Sequence, residues 1–128
     1  MTAAAKHYEC TVTVETEFLP DQSDIERNRY AFAYHVKIIN TGNVAAQLIS
    51  RHWIISEGSG EQQEVKGLGV VGAQPLLNPS QSFEYTSGTV LNTPTGKMRG
   101  SYQMVADDGT QFDAVVQPFA LTMPRVLH

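Results

Sequence analysis

The chain has a single cysteine, Cys10, among its 128 residues. No intrachain disulfide can form, and a reducing compartment is the simplest setting for such a chain. No apolar run approaches the ~20 residues that a membrane-spanning helix needs. Residues 1–7, Met-Thr-Ala-Ala-Ala-Lys-His, lack the apolar stretch of a secretory signal. A soluble cytoplasmic protein is therefore expected. Basic side chains are few and do not cluster. Nine Lys and Arg stand against thirteen Asp and Glu, for a formal net charge of −4. That balance argues against a nucleic-acid footprint and against a polybasic membrane anchor. Also missing is any amphipathic helical pattern longer than one turn.

Strand periodicity fills that gap. Tyr8, Cys10, Val12, Val14 and Phe18 share one parity, with Glu9, Glu15 and Glu17 on the other. Tyr30, Phe32, Tyr34, Val36 and Ile38 form one face of a second strand, ended by the turn residues Thr41-Gly42-Asn43. The third strand, Val44 to Glu57, is apolar at nearly every position and carries Trp53, the only tryptophan; it reads as central and covered on both sides for part of its length. Glu61–Val65 reads as a short charged edge strand, and Gln81–Ser87 as the next. Met98, Gly100, Tyr102, Met104 and Ala106 alternate in another strand. Asp107-Asp108-Gly109 makes a hairpin turn, and Phe112, Ala114 and Val116 lie in the last strand, which Pro118 ends. About seven strands with regular turn signals predict an all-β fold. The architecture expected is an antiparallel two-sheet sandwich, fibronectin type III or immunoglobulin-like, over residues 8–128, preceded by a flexible arm at 1–7. A closed barrel is the alternative. Tyr102 stands where a tyrosine-corner residue could sit.

The stretch Gly67-Leu-Gly-Val-Val-Gly-Ala-Gln-Pro75 contains the spacing G-x-G-x-x-G. A dinucleotide site needs a helix that starts at those glycines and receives the pyrophosphate. Pro75 and Pro79 follow too closely for a helix to begin there, and no Gly-Lys-Ser/Thr follows for a P-loop. The stretch is read as a loop that crosses the sheet, with Val70 and Val71 pinning it to a hydrophobic surface. Gly67, Gly69, Val70, Val71, Gly72, Gln74 and Pro75 are the candidate binding residues. If Val70, Val71, Leu76 and Leu77 are exposed they mark a partner site; if they fold back they are core. Successive backbone N–H groups could still form a weak anion nest.

No catalytic constellation emerges. Cys10 falls on the inward parity of its strand, where a thiol is inert. No G-x-S-x-G frame is present, and Gly58-Ser59-Gly60 does not supply one. The acid pairs Asp21 with Asp24 and Glu61 with Glu64 read as solvated. His7, His35, His52 and His128 are not spaced as metal ligands, although His35 and His52 lie on strands that could be neighbours. Asp107 and Asp108 could offer oxygens to Mg²⁺ but read as a turn. No metal site and no cofactor are expected.

Five ordered motifs are shared with one known family: Arg51-His52-Trp53, Gly67-x-Gly-Val-Val-Gly-x-Gln-Pro75, Phe83-x-Tyr-x-Ser-Gly88, Gly96-x-Met-x-Gly-x-Tyr-x-Met104 and Pro118-Phe119-x-Leu121. In them the chain resembles the ApaG family from Tyr8 to the C-terminus. Ser80 departs from the pattern, standing where glycine is expected after Pro79, so a different turn type is expected there. The resemblance implies a fibronectin type III-like sandwich in a bacterial cytosolic protein without catalytic residues. It also implies a loose, indirect association with cobalt resistance and magnesium efflux, and a role in protein interaction. The expected function is a non-enzymatic interaction module with a protein partner. The alternative is a weak binder of phosphate-bearing ligands or divalent cations through residues 67–75.

Overall fold

A computed structural model describes residues 5–124. Its elements are β1 (Cys10–Phe18), two 3-10 turns (Pro20–Gln22 and Ile25–Arg27), β2 (Tyr30–Asn40), β3 (Ala46–Glu57), β4 (Gln62–Leu68), β5 (Leu76–Leu77), β6 (Ser82–Leu91), β7 (Thr95–Ala106) and β8 (Gln111–Thr122). The fold is all-β, as expected, in two antiparallel sheets. One sheet runs β1-β2-β6; the other runs β4-β3-β7-β8, with β5 also paired to β3. The alternating residues of β2 supply Phe32, Tyr34, Val36 and Ile38 from the first sheet. They meet Leu48, Trp53, Met98, Tyr102 and Leu121 from the second in one buried cluster. Trp53 is its hub, with edge-on ring contacts to Tyr34 at 5.7 Å, Tyr102 at 5.8 Å and Phe119 at 5.9 Å. Such pairs add about 0.5–1.5 kcal/mol each beyond area burial.

Several sequence expectations change in physical detail. The third strand is not covered on both sides. Its buried positions switch from Ala46 and Leu48 to Trp53 and Ile55, and the switch of parity occurs at a bulge. Ile49 is the extra residue: Leu48 pairs with Met104 and Ser50 with Gln103, leaving Ile49 without a partner on β7. A strand whose inward set changes phase looks apolar throughout when read as one period. The expected edge strand 61–65 reaches Leu68, so Gly67 and Leu68 belong to sheet rather than loop. Pro118 does not end β8. Gln117 and Pro118 together face Arg99 between the pairs Gly100↔Val116 and Met98↔Phe119, a bulge that spares the proline a ladder hydrogen bond. Tyr102 is no tyrosine corner, because its hydroxyl meets the Tyr85 hydroxyl inside the core rather than a backbone group. Ser80 adopts φ +75°, so it takes the left-handed conformation of the expected glycine instead of changing the turn.

Two polar devices tie the ends of the strands. Asn40 is 2% exposed yet satisfied: Nδ2 donates to the carbonyls of Val44 and Leu77, both at 2.9 Å, and Oδ1 accepts from Gly42 N at 3.0 Å. At the β7–β8 turn, Asp108 accepts from Lys6 Nζ at 2.8 Å, from the Tyr8 hydroxyl and from Thr110 N at 3.0 Å. The described part of the N-terminal arm is thus held, with His7 N also donating to Asn43 Oδ1. Residues 1–4 of the arm, and His128, lie outside the described residues.

Candidate binding surface at the glycine hairpin

The glycine stretch is a hairpin, and no helix starts from it. After β4 leaves β3 at the pair Ser50↔Leu68, Gly69 turns with φ +62° and its N–H donates to Ile49 O at 2.8 Å. Val70 and Ala73 then exchange both backbone hydrogen bonds, at 2.8 and 2.9 Å. The two residues between them, Val71 and Gly72, both have positive φ, +43° and +80°. Two positive φ values mark a type I′ turn, whose preferred residues are Asn-Gly. Glycine fits the second position; a β-branched valine at the first does not.

The chain then returns along β3. Pro75 O accepts from Leu48 N at 3.0 Å, Gln74 O accepts from Gln47 Nε2 at 3.0 Å, and Gln74 Nε2 donates to Ile49 O at 2.9 Å. The bulged Ile49 therefore holds the hairpin from both sides through one carbonyl. Gly67 lies opposite Arg51, and a Cβ there would stand 2.8 Å from the guanidinium, so the arginine packs flat over the glycine. Arg51 Nη1 donates to the carbonyls of Leu68, at 3.1 Å, and Gly69, at 2.8 Å. Behind it lie Tyr85 and Tyr102, whose hydroxyls bond each other. Burial pushes Tyr85 up to about 12 and raises Tyr102 further, so both are neutral donors and acceptors.

The question left open for the valines and leucines resolves residue by residue. Val70 is fully buried and Leu77 is 3% exposed. Val71 is 64%, Leu68 76% and Leu76 59% exposed. Three large apolar side chains thus project around one hairpin that Val70 anchors. The seven candidate residues are brought together, but with different tasks. Gly67, Gly69, Gln74 and Pro75 build the hairpin's seat, Val70 anchors it, and Val71 and Gly72 are its exposed tip. The anion nest loses a donor, since the Gly69 N–H is already bonded to Ile49.

Sequence reasoning missed Leu68 and Arg51. Glu64 and Lys66 share Leu68's outward parity, so the leucine's exposure was readable once the strand is carried to residue 68. Arg51 was visible only as the first residue of the Arg51-His52-Trp53 motif; beyond the bulge it shares the inward parity of Trp53 and Ile55.

The other candidates separate. His35 lies on the outer side of β2 with Thr86 Oγ1 at 2.8 Å from Nδ1 and Glu84 at 3.1 Å from Nε2. His52 lies on the other sheet, with Glu64 at 3.2 Å. The two histidines belong to opposite outer faces and do not meet. Cys10 is buried, and desolvation raises its thiol to about 11, out of the nucleophilic range. Among the described residues no three His, Cys, Asp or Glu side chains come together as a metal site.

Known proteins share this arrangement along its length. The ApaG domain profile matches residues 20–106. Protein ApaG of Methylobacillus flagellatus is 66% identical over 96% of this chain and 97% of its own. Protein ApaG of Nitrosospira multiformis is 60% identical over 98% and 99%. A crystal structure of the putative ApaA protein from Bordetella pertussis superposes with a TM-score of 0.91 at 52% identity, covering 96% of this chain and all of that one. The five motifs read in the sequence converge on one structural unit, with Arg51 over Gly67, Tyr85 against Tyr102, and Trp53 between Tyr102 and Phe119. The chain belongs to the ApaG family.

Proposed function

We propose that the chain is a non-enzymatic interaction module, cytoplasmic, whose contact surface is the tip of the glycine hairpin and the strand edges beside it. The observation that carries this reading is the exposure of Leu68, Val71 and Leu76 around a hairpin whose backbone is tied down on both sides. Exposed apolar groups clustered on a rigid support favour docking, because little conformational entropy is lost on binding. The cobalt and magnesium association is then an indirect consequence of such a contact.

The test uses Val71→Cys. Cys10 is buried, so a maleimide photocrosslinker attaches to the tip alone. When the purified, labelled protein is added to lysate and illuminated, one discrete adduct is expected, and it should vanish when Leu68→Asp and Leu76→Asp are added. An adduct pattern that ignores those two changes would remove the hairpin from the contact surface.

A further inference from the structure

The two sheets end in four strand edges, β1, β6, β4 and β8, and three of them are protected. β1 presents Glu15 and Glu17 and lies against β8. β8 is kinked by the Gln117-Pro118 bulge. β4 is only seven residues long and carries Glu64 and Lys66. Charge, proline, bulges and shortness are the devices that keep an edge from pairing with another chain. β6 uses none of them. It runs ten residues in unbroken register with β2, with no proline and a single charged residue. That residue, Glu84, already meets His35 Nε2 at 3.1 Å. Among the described residues no strand lies on the other side of β6. We propose that β6 is the interface with a second copy of this chain, joined antiparallel and edge to edge about a two-fold axis at Thr86. The inference is independent of the hairpin contact proposed above.

The register with β2 fixes which backbone groups are free. Asn40 N donates to Gln81 O at 3.0 Å, so these two residues are a hydrogen-bonded pair. Bonding recurs at every second residue of an antiparallel pair. Phe83, Tyr85, Ser87, Thr89 and Leu91 therefore turn their N–H and C=O to β2. Ser82, Glu84, Thr86, Gly88 and Val90 turn theirs outward. All five are exposed, Val90 at 43%. No loop backbone among the described residues bonds to them.

The occupant follows from self-complementarity. An axis at Thr86 pairs Thr86 with Thr86 of the second copy, Glu84 with its Gly88, and Ser82 with its Val90. That gives about ten backbone hydrogen bonds, two per pair, over the whole strand. No charge faces a like charge. An axis at Glu84 would set two carboxylates opposite each other, and an axis farther along the strand would pair fewer residues. On the inner side, half-buried Phe83 stands opposite Thr89 of the second copy, an aromatic and β-branched pair of the kind that stabilises sheets. The joined sheet ends at both sides in the acidic β1 edge, so assembly closes at two copies.

Sedimentation velocity of the full chain, from micromolar to millimolar concentration, reads the assembly. A monomer–dimer equilibrium is expected. Thr86→Lys sets two lysines face to face and should weaken the dimer ~10-fold or more. The position is exposed, and a thermal melt checks that the variant folds. Thr86→Cys tests the register. Cα atoms across such a pair lie ~5.5 Å apart, within reach of a disulfide, so oxidation should link two copies. Ser82→Cys should not link, because Ser82 faces Val90 and the two introduced thiols lie roughly 27 Å apart. Cys10 is buried and stays silent. A chain that is monomeric at millimolar concentration overturns the proposal and leaves the edge to a strand of another protein. A dimer indifferent to Thr86→Lys, or a Ser82→Cys variant that links as readily as Thr86→Cys, overturns it as well. Each of these outcomes leaves the hairpin contact standing, which the adduct at Val71 tests separately.

Discussion

Two turns of this molecule solve the same problem in opposite ways. The β7–β8 turn, Asp107-Asp108-Gly109, uses residues suited to its backbone. Gly109 takes φ +88°, Gly109 N closes the turn on Ala106 O at 2.9 Å, and Asp108 caps Thr110 and anchors Lys6 and Tyr8. The glycine hairpin places a valine at φ +43° and leaves it 64% exposed. A left-handed L-residue costs about 1–2 kcal/mol, and a β-branched one has no local hydrogen bond to offset it. The first turn is built for folding. The second carries strain and leaves the strained side chain exposed; departures of this kind concentrate at sites that do something besides fold, which is why the interaction reading proposed above centres on this turn.

The largest expected effect breaks the hairpin's seat. A Cβ at Gly69 would stand 2.4 Å from Ala73 O on a backbone with φ +62°. Backbone contact and left-handed strain combine, so Gly69→Ala should cost about 3 kcal/mol in urea unfolding. Gly72→Ala and Gly109→Ala meet nothing within 4 Å. Each should cost only about 1 kcal/mol, from backbone conformation alone. Equal losses at all three glycines would mean that the close approach of Gly69 to Ala73 does not constrain the hairpin.

The comparison sharpens at Val71. Val71→Asn places the residue that a type I′ turn prefers and should raise stability by about 1 kcal/mol, measured by the urea midpoint at unchanged slope. The same variant should lose partner contact. A gain in stability with no loss of binding would show that the valine is not retained for display.

How far the sequence spoke follows from the same physics. Strands of constant phase, such as Tyr30, Phe32, Tyr34, Val36 and Ile38, were legible because one periodicity covers the whole element. β3 was misread because the bulge at Ile49 shifts its phase, and a bulge leaves no composition signal. Pro118 was read as a stop because a ladder excludes proline, whereas a bulge admits it. At the site, the prolines after Gly72 correctly excluded a helix. The division of labour between Val70 and Val71 was not legible: adjacent identical side chains point to opposite sides, and only the turn type decides which is buried.

The smallest expected effect concerns the well-made turn. Lys6, whose hydrogen bond is the leading cause, together with Tyr8 and Thr110, holds the Asp108 carboxyl well below its usual value of 3.8. A depressed folded-state value contributes stability that is present above the unfolded value and lost as pH falls through the folded one. Lys6 shifts the other way, raised above 10.5 chiefly by its hydrogen bond to Asp108, so its contribution is lost as pH rises through the raised value. The tether should therefore hold between about pH 4 and pH 10 and weaken outside that window. Asp108 is exposed to solvent, so Asp108→Asn should leave the global melting temperature nearly unchanged. The change should appear instead as faster amide exchange at His7, whose N–H donates to Asn43, and at Thr110. If Asp108→Asn lowered the melting temperature as much as Gly69→Ala does, the two turns would be equally structural, and the contrast between them would fail.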